Sequence, residues 1–164
     1  METKIVKLKS NENEIFEVPA DILKKSNLIS GLIEDAIEEN KEISLKEVSS
    51  MDLKRIIEYL THYKNMEPKE IPKPFPDFPD DDFFKSILND EWTFDFLQKI
   101  SLEEVVNLVN SADYLQINGL INILAAKMSF EMINCEVEEA RRKFGIETDL
   151  TDEEIAEIAK YPLD

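Results

Sequence analysis

Three kinds of residue in this chain could carry chemistry: a single histidine, a single cysteine and runs of carboxylates. His62 stands in Leu60-Thr61-His62-Tyr63. As a catalytic base it would need a partner carboxylate or thiol that only the folded chain could supply. Its place at the end of a helical pattern suits a structural role instead, because the negative end of a helix dipole favours an imidazole that can carry charge. Cys135 lies between Asn134 and Glu136, with further acids after it, and such charge disfavours a reactive thiolate. Asp80-Asp81-Asp82 and Glu138-Glu139 are clustered carboxylates, yet 36 acids in 164 residues make such neighbours unavoidable. They read as solvated faces, and their spacing matches no EF-hand loop. One Cys and one His cannot assemble a zinc cluster of three or four Cys/His ligands. Three glycines form neither GxGxxG nor GxxxxGKS/T. The expectation is a non-enzyme that uses no metal and no cofactor.

Composition narrows the partners. The 36 acidic residues against 19 basic give a net charge of −17, which repels phosphate backbones and excludes electrostatically driven nucleic-acid binding. The 43% apolar content still supports a folded core. No apolar run approaches the roughly 20 residues that span a bilayer, and Met1 to Lys7 lacks the long apolar segment of a signal peptide. A lone cysteine fits a reducing compartment. By elimination, a soluble intracellular protein that binds other proteins is expected.

The elements that position these residues follow from hydrophobic periodicity. Lys4-Ile5-Val6-Lys7-Leu8 and Ile15-Phe16-Glu17-Val18 alternate around a polar turn, which predicts a β-hairpin stopped by Pro19. Residues 20–38 read as two short helices, packed by Ile22 and Leu23, then by Leu28, Leu32, Ile33 and Ile37, with Ser26 or Asn27 as the cap between them. Ile43 and Leu45 suggest a third strand, and Leu53, Ile56, Ile57 and Leu60 a helix over 50–64. Residues 65–82 hold five of the seven prolines, which favours extended backbone. This stretch reads as a surface excursion whose Phe75 and Phe78 dock on the body, not as a domain boundary.

The second half is helical. Phe84, Ile87 and Leu88 mark one short helix, followed by Trp92, Phe94, Phe96 and Leu97. Ser101-Leu102-Glu103-Glu104 has the form of a capping box, ahead of the stripe Leu102, Val105, Val106, Val109 and Ala112. Gln116-Ile117-Asn118-Gly119 breaks that helix and starts another. From Leu120 to Met128 apolar residues occupy nearly the whole circumference, so the helix must be covered on more than one side. A body of this size covers one side and leaves the other to something else. Beyond residue 130 the chain turns acidic yet stays helical, with Val137 to Phe144 and a second capping box at Thr151-Asp152-Glu153-Glu154. These helices are too short to stand alone, so Phe144, Ile146, Leu150, Ile155 and Ile158 need a surface to lie on.

The order of elements resembles a BTB/POZ fold, and local wording narrows the resemblance. Ile5-Val6-Lys7-Leu8-Lys9-Ser10 with Glu14-Ile15-Phe16-Glu17-Val18 is similar to the opening of the S-phase kinase-associated adaptor family of SCF ubiquitin ligases. So are Tyr59-Leu60-Thr61-His62-Tyr63-Lys64, and Trp92 followed by Asp95-Phe96-Leu97. Ala112-Asp113-Tyr114-Leu115-Gln116-Ile117-Asn118-Gly119-Leu120 resembles the family's most recognisable stretch. The segments from Glu138 to Ile146 and from Asp149 to Glu154 resemble its C-terminal extension. The resemblance runs from residue 4 to about 158 and is weakest over 65–90.

That resemblance implies an α+β chain: a small three-stranded sheet packed by helices over 1–130, then a helical extension over 131–164. It implies an adaptor without an active site, in which the BTB portion binds a cullin N-terminal domain and the C-terminal helices clasp an F-box protein. The F-box contacts it implies are Phe96, Leu97, Leu120, Leu124, Met128, Met132, Ile133, Phe144, Ile146, Leu150 and Ile155. The cullin contacts are Asp113 and Tyr114. Flexible methionines suit a surface that accepts many receptors. Weak homodimer formation when free, and a cytoplasmic and nuclear location, are also implied.

This chain departs from the family at three places. Asp113 stands where Asn is usual, which adds a charge at the cullin contact. The turn Ile133-Asn134-Cys135-Glu136-Val137 is one residue short and carries Val137 where many members have a modifiable Pro. Tyr161-Pro162-Leu163-Asp164 lacks the Trp that folds over the F-box, which implies a reduced clamp. An elongin-C-like adaptor is the nearest alternative, although residues 134–160 argue against it. A structural subunit of a kinetochore-type complex would reuse the same F-box interface.

Overall fold

The computed structural model describes residues 3–147 and 150–161. The two alternating N-terminal segments pair antiparallel as β1 (Ile5–Lys9) and β2 (Ile15–Pro19), with Val6 opposite Val18 and Leu8 opposite Phe16. Pro19 is the last residue of β2 and lies opposite Ile5 instead of ending the strand before itself. At the end of an edge strand its missing N–H is tolerated. The third strand, β3 (Glu42–Ser44), pairs parallel to β1, so the order is β2-β1-β3. A parallel neighbour requires a crossover, and residues 20–41 supply it.

That crossover contains three pieces where two helices were expected: a 3-10 turn (Ile22–Lys25), α1 (Asn27–Ser30) and α2 (Ile33–Glu38). The buried Ser26 makes the break. Its Oγ accepts from the Ile29 amide at 3.2 Å and donates to the Leu115 carbonyl at 2.6 Å. One hydroxyl therefore caps α1 and ties it to a helix end far along the chain. Ile29 is buried and Leu32 exposed, the reverse of what helical spacing over 28–37 predicted, because the helix restarts at Ile33.

α3 (Ser50–His62) buries Leu53, Ile56, Tyr59 and Leu60 and tightens into a 3-10 turn at Tyr63–Asn65. After the proline-rich excursion come α4 (Asp81–Ile87) and α5 (Glu91–Gln98), capped by Asp80 and Asp90. α6 (Leu102–Tyr114) opens with the Ser101–Glu104 capping box, both halves of which form. Its inward residues are Val105, Leu108 and Ala112 at i, i+3 and i+7, while Val106 faces outward. α7 (Asn118–Ile133) packs beside α6, and α8 (Val137–Lys143) and α9 (Asp152–Ile158) follow.

The break between α6 and α7 lies at Gln116, whose φ is 56°. The Ile117 amide donates to the Ala112 carbonyl and the Gln116 amide to the Asp113 carbonyl, both at 2.9 Å. This is a Schellman closure with glutamine in the left-handed position usually held by glycine. Gly119 does not make the break. It sits in the first turn of α7, where a Cβ would come within 2.5 Å of Pro68 Cγ and 2.6 Å of the Tyr59 hydroxyl.

The excursion over 65–90 covers part of α7. Phe84 is buried and stacks on Phe130 with centroids 4.6 Å apart. Phe75 is half-buried against Phe83 at 5.5 Å. Phe78 does not dock: it is 86% exposed at φ 56°. The Asn134 side chain donates to the Pro79 carbonyl at 3.0 Å. A second flank of the all-apolar helix is thus closed by the chain itself, a role the proline count did not suggest.

Candidate interaction surface

His62 is structural in its surroundings. Its Nε2 donates to Asp90 Oδ2 at 2.8 Å, and its ring stacks on Trp92 with centroids 3.8 Å apart. Asp90 Oδ1 accepts from the Thr93 amide and from Thr93 Oγ1, which in turn accepts from the buried Tyr63 hydroxyl at 2.6 Å. Burial works against the charge on Asp90, but the hydrogen bonds from Thr93 and His62 together outweigh it and hold the carboxyl below its ordinary range. Burial pushes the Tyr63 hydroxyl up. The group joins the end of α3 to the start of α5.

Cys135 has a cation for a neighbour: Lys143 Nζ lies 3.2 Å from its Sγ. Lys143 also reaches Glu139 at 3.0 Å and Glu131 at 3.8 Å. The hydrogen bonds with Glu139 and Cys135 push its ammonium pKa above the usual lysine range. These contacts seat α8 against the last turns of α7. Glu131 also pairs with Lys127 at 3.5 Å. Lys127 is buried inside the helix read as apolar all round, and its i,i+4 spacing to Glu131 was the available signal. Among the described residues, no three His, Cys, Asp or Glu side chains converge as metal ligands, and no helix is long and apolar enough to cross a membrane.

The surface feature that remains is apolar. No described residue after Phe130 is buried. Yet Met132 is 49% exposed, Val137 67%, Ile146 56% and Ile158 59%, with Ile133 and Ile155 also open. Phe144 and Leu150 are half-buried. α8 is set by its charged clamp on α7, and its end turns through Gly145 at φ 63° in a second Schellman closure, with the Ile146 amide on the Arg141 carbonyl at 2.9 Å. That turn leaves Ile146 outward. The Thr151–Glu154 capping box forms in full and starts α9. Asp149, part of the same motif, lies outside the described residues, as do Pro162, Leu163 and Asp164.

Burial divides the expected F-box contacts into two groups. Phe96, Leu97, Leu120 and Leu124 are fully enclosed by the chain. On α7, positions 120, 123, 124, 127 and 130 face inward, whereas 121, 125, 128 and 132 face outward or half outward. Met128, Met132, Ile133, Phe144, Ile146, Leu150 and Ile155 are at least partly accessible. Asp113 and Tyr114 are exposed at the end of α6, just before the Gln116 closure. Residues that sequence reasoning left out are the small outward side chains Ala125 and Ser129.

Comparison with known proteins places the chain in a family. Residues 4–65 match the tetramerisation domain of the Skp1 family, and residues 118–161 match its dimerisation domain. The chain is 37% identical over 153 residues to an S-phase kinase-associated protein 1 homolog of Tetrahymena thermophila, covering 93% of this chain and 89% of that one. It is 32% identical to SKP1-like protein 4 of Arabidopsis thaliana, covering 94% and 91%. It is 28% identical to the E3 ubiquitin ligase complex SCF subunit sconC of Talaromyces marneffei, covering 94% and 92%.

Proposed function

This chain belongs to the Skp1 family, and we propose that it is the non-catalytic adaptor of an SCF ubiquitin ligase, joining F-box receptors to a cullin. The observation that carries this reading is the apolar end of the molecule. Met132 and Ile133 lie open at the end of α7, and Ile146 and Ile155 lie open beyond it, where α8 and α9 bury nothing of their own. Large apolar side chains left open in this way mark a protein interface. The receptor lies on this end, against Met128 and Met132 of α7 and Phe144, Ile146, Leu150 and Ile155 beyond it. The cullin takes Asp113 and Tyr114 from the separate exposed end of α6. The free chain self-associates weakly through the same apolar end, and it works in the cytoplasm and nucleus. The family match over 118–161 disfavours an elongin-C-like role, because it includes the extension.

Binding of the purified chain to an F-box domain and to a cullin N-terminal domain, measured separately, tests the reading. Phe144→Ala should weaken the F-box complex about tenfold, near 1.4 kcal/mol, and leave the cullin complex and the fold unchanged. Tyr114→Ala should weaken the cullin complex alone. Loss of both partners from Tyr114→Ala would make that residue structural.

A further inference from the structure

The proline-rich segment runs the length of α7 and is held at both ends. At the start of α7, the Pro68 ring lies against Gly119, so close that no side chain fits between them. At its end, Asn134 donates to the Pro79 carbonyl. The near end is further fixed by Lys69, whose amide donates to Asn89 Oδ1 at 2.8 Å and whose ammonium donates to the Leu88 carbonyl at 2.9 Å. Asn89 returns a hydrogen bond from its side chain to the Glu67 carbonyl at 2.9 Å. Between these anchors Ile71 and Phe75 are half-buried against the body, and the segment leaves a groove beside the helix. A groove of about 880 Å³ separates Glu70, Ile71 and Phe75 on the strap from Ala125, Ser129 and Ile133 on α7. The small side chains at 125 and 129 make its floor low.

We propose that this strap is the second wall of the receptor site, so that a helix of the bound F-box receptor lays large apolar side chains between the strap and α7. The inference rests on the adaptor reading and says which part of the site selects the receptor. Two observations point to that occupant. The groove ends at Ile133, which belongs to the open apolar surface of the extension, so one ligand can run across both. The floor from Asn122 to Ile133 is about 17 Å long at the helical rise, the length of three turns of a docked helix. The strap and the start of α4 carry Glu67, Glu70, Asp77, Asp80, Asp81 and Asp82 against Lys69 and Lys73. In the groove itself the strap side carries Glu70 and Lys73, so an occupant that reaches Glu70 should bring Lys or Arg to it.

Three variants of the full chain, titrated with one F-box domain, decide the matter. Glu70→Lys changes an exposed rim residue, and Ile71→Asp makes the wall polar. Ala125→Arg fills the floor at an exposed helix position where arginine is well tolerated. Each should weaken F-box binding about tenfold and leave cullin binding unchanged, and the exposed-site variants Glu70→Lys and Ala125→Arg should keep the thermal midpoint of the free chain. Glu70→Lys should also flatten the salt dependence of binding. If Glu70→Lys and Ile71→Asp bind as the parent does while Phe144→Ala does not, the strap is no wall and the adaptor reading stands. If neither the strap variants nor Phe144→Ala alters binding, or if the parent captures no F-box domain, both fall together.

Discussion

At the scale of single residues, the best-connected side chain is Asp90. It caps α5, accepts from His62, and takes the end of a relay from Tyr63 through Thr93. Its folded pKa lies below its ordinary value, so the carboxylate stabilises the fold above about pH 4, and that contribution fades as pH falls through the folded value. Asp90→Asn keeps the capping oxygen and removes the charge. It should lower the urea midpoint at pH 7, and by less as pH falls below 4, followed through the emission of Trp92. Equal losses above and below about pH 4 would mean that the charge contributes nothing. The sequence placed His62 correctly at the end of a helix. It could not show Asp90, because the partner stands 28 residues away and only the packing of α3 on α5 brings it near.

At the scale of elements, local chemistry was legible where it is local. Both capping boxes form between residues three apart, and the helices they open begin where the motif says. The misread positions depend on distant partners. Gly119 looked like a helix breaker, yet its lack of a side chain answers to Pro68 and Tyr59. Gln116, which carried no glycine signal, holds the left-handed turn instead. A non-glycine residue at positive φ is strained. Gln116→Gly should therefore raise stability by about 1 kcal/mol, visible as a higher denaturation midpoint with unchanged partner binding. A fall in midpoint would mean that the glutamine side chain makes up for its backbone. Phe75 and Phe78 show the same limit: their sequence contexts are alike, but only Phe75 finds Phe83.

For the whole molecule, the division is between a body enclosed by its own side chains and an extension that encloses nothing. The core runs from Val6 to Phe130. Segments with few buried contacts sit at the low end of local stability. Amide hydrogen exchange should therefore be slow in β1, α3 and α6 and fast in α8 and α9 of the free chain. F-box binding should slow it in α8 and α9 without changing the body. Equal protection across all helices in the free chain would contradict the division. The acidic sequence foretold neither half directly, since charge reports on the solvated face alone. The exposed apolar residues of 132–158 stand among ten acids and four bases between residues 134 and 164, a rim that keeps an open apolar surface soluble.

The strap has one more consequence, in the order in which the chain is made. Pro79 meets its anchor at Asn134, fifty-five residues later, and Phe84 waits for Phe130. While the N-terminal half emerges, the strap and α4 lack the helix they close on, and Phe84 lacks its stacking partner until α7 follows. Synthesis paused or cut before that helix leaves an aromatic, proline-stiffened segment open to chaperones and proteases. The last turn of α7 is thus the point at which the growing chain becomes a closed body.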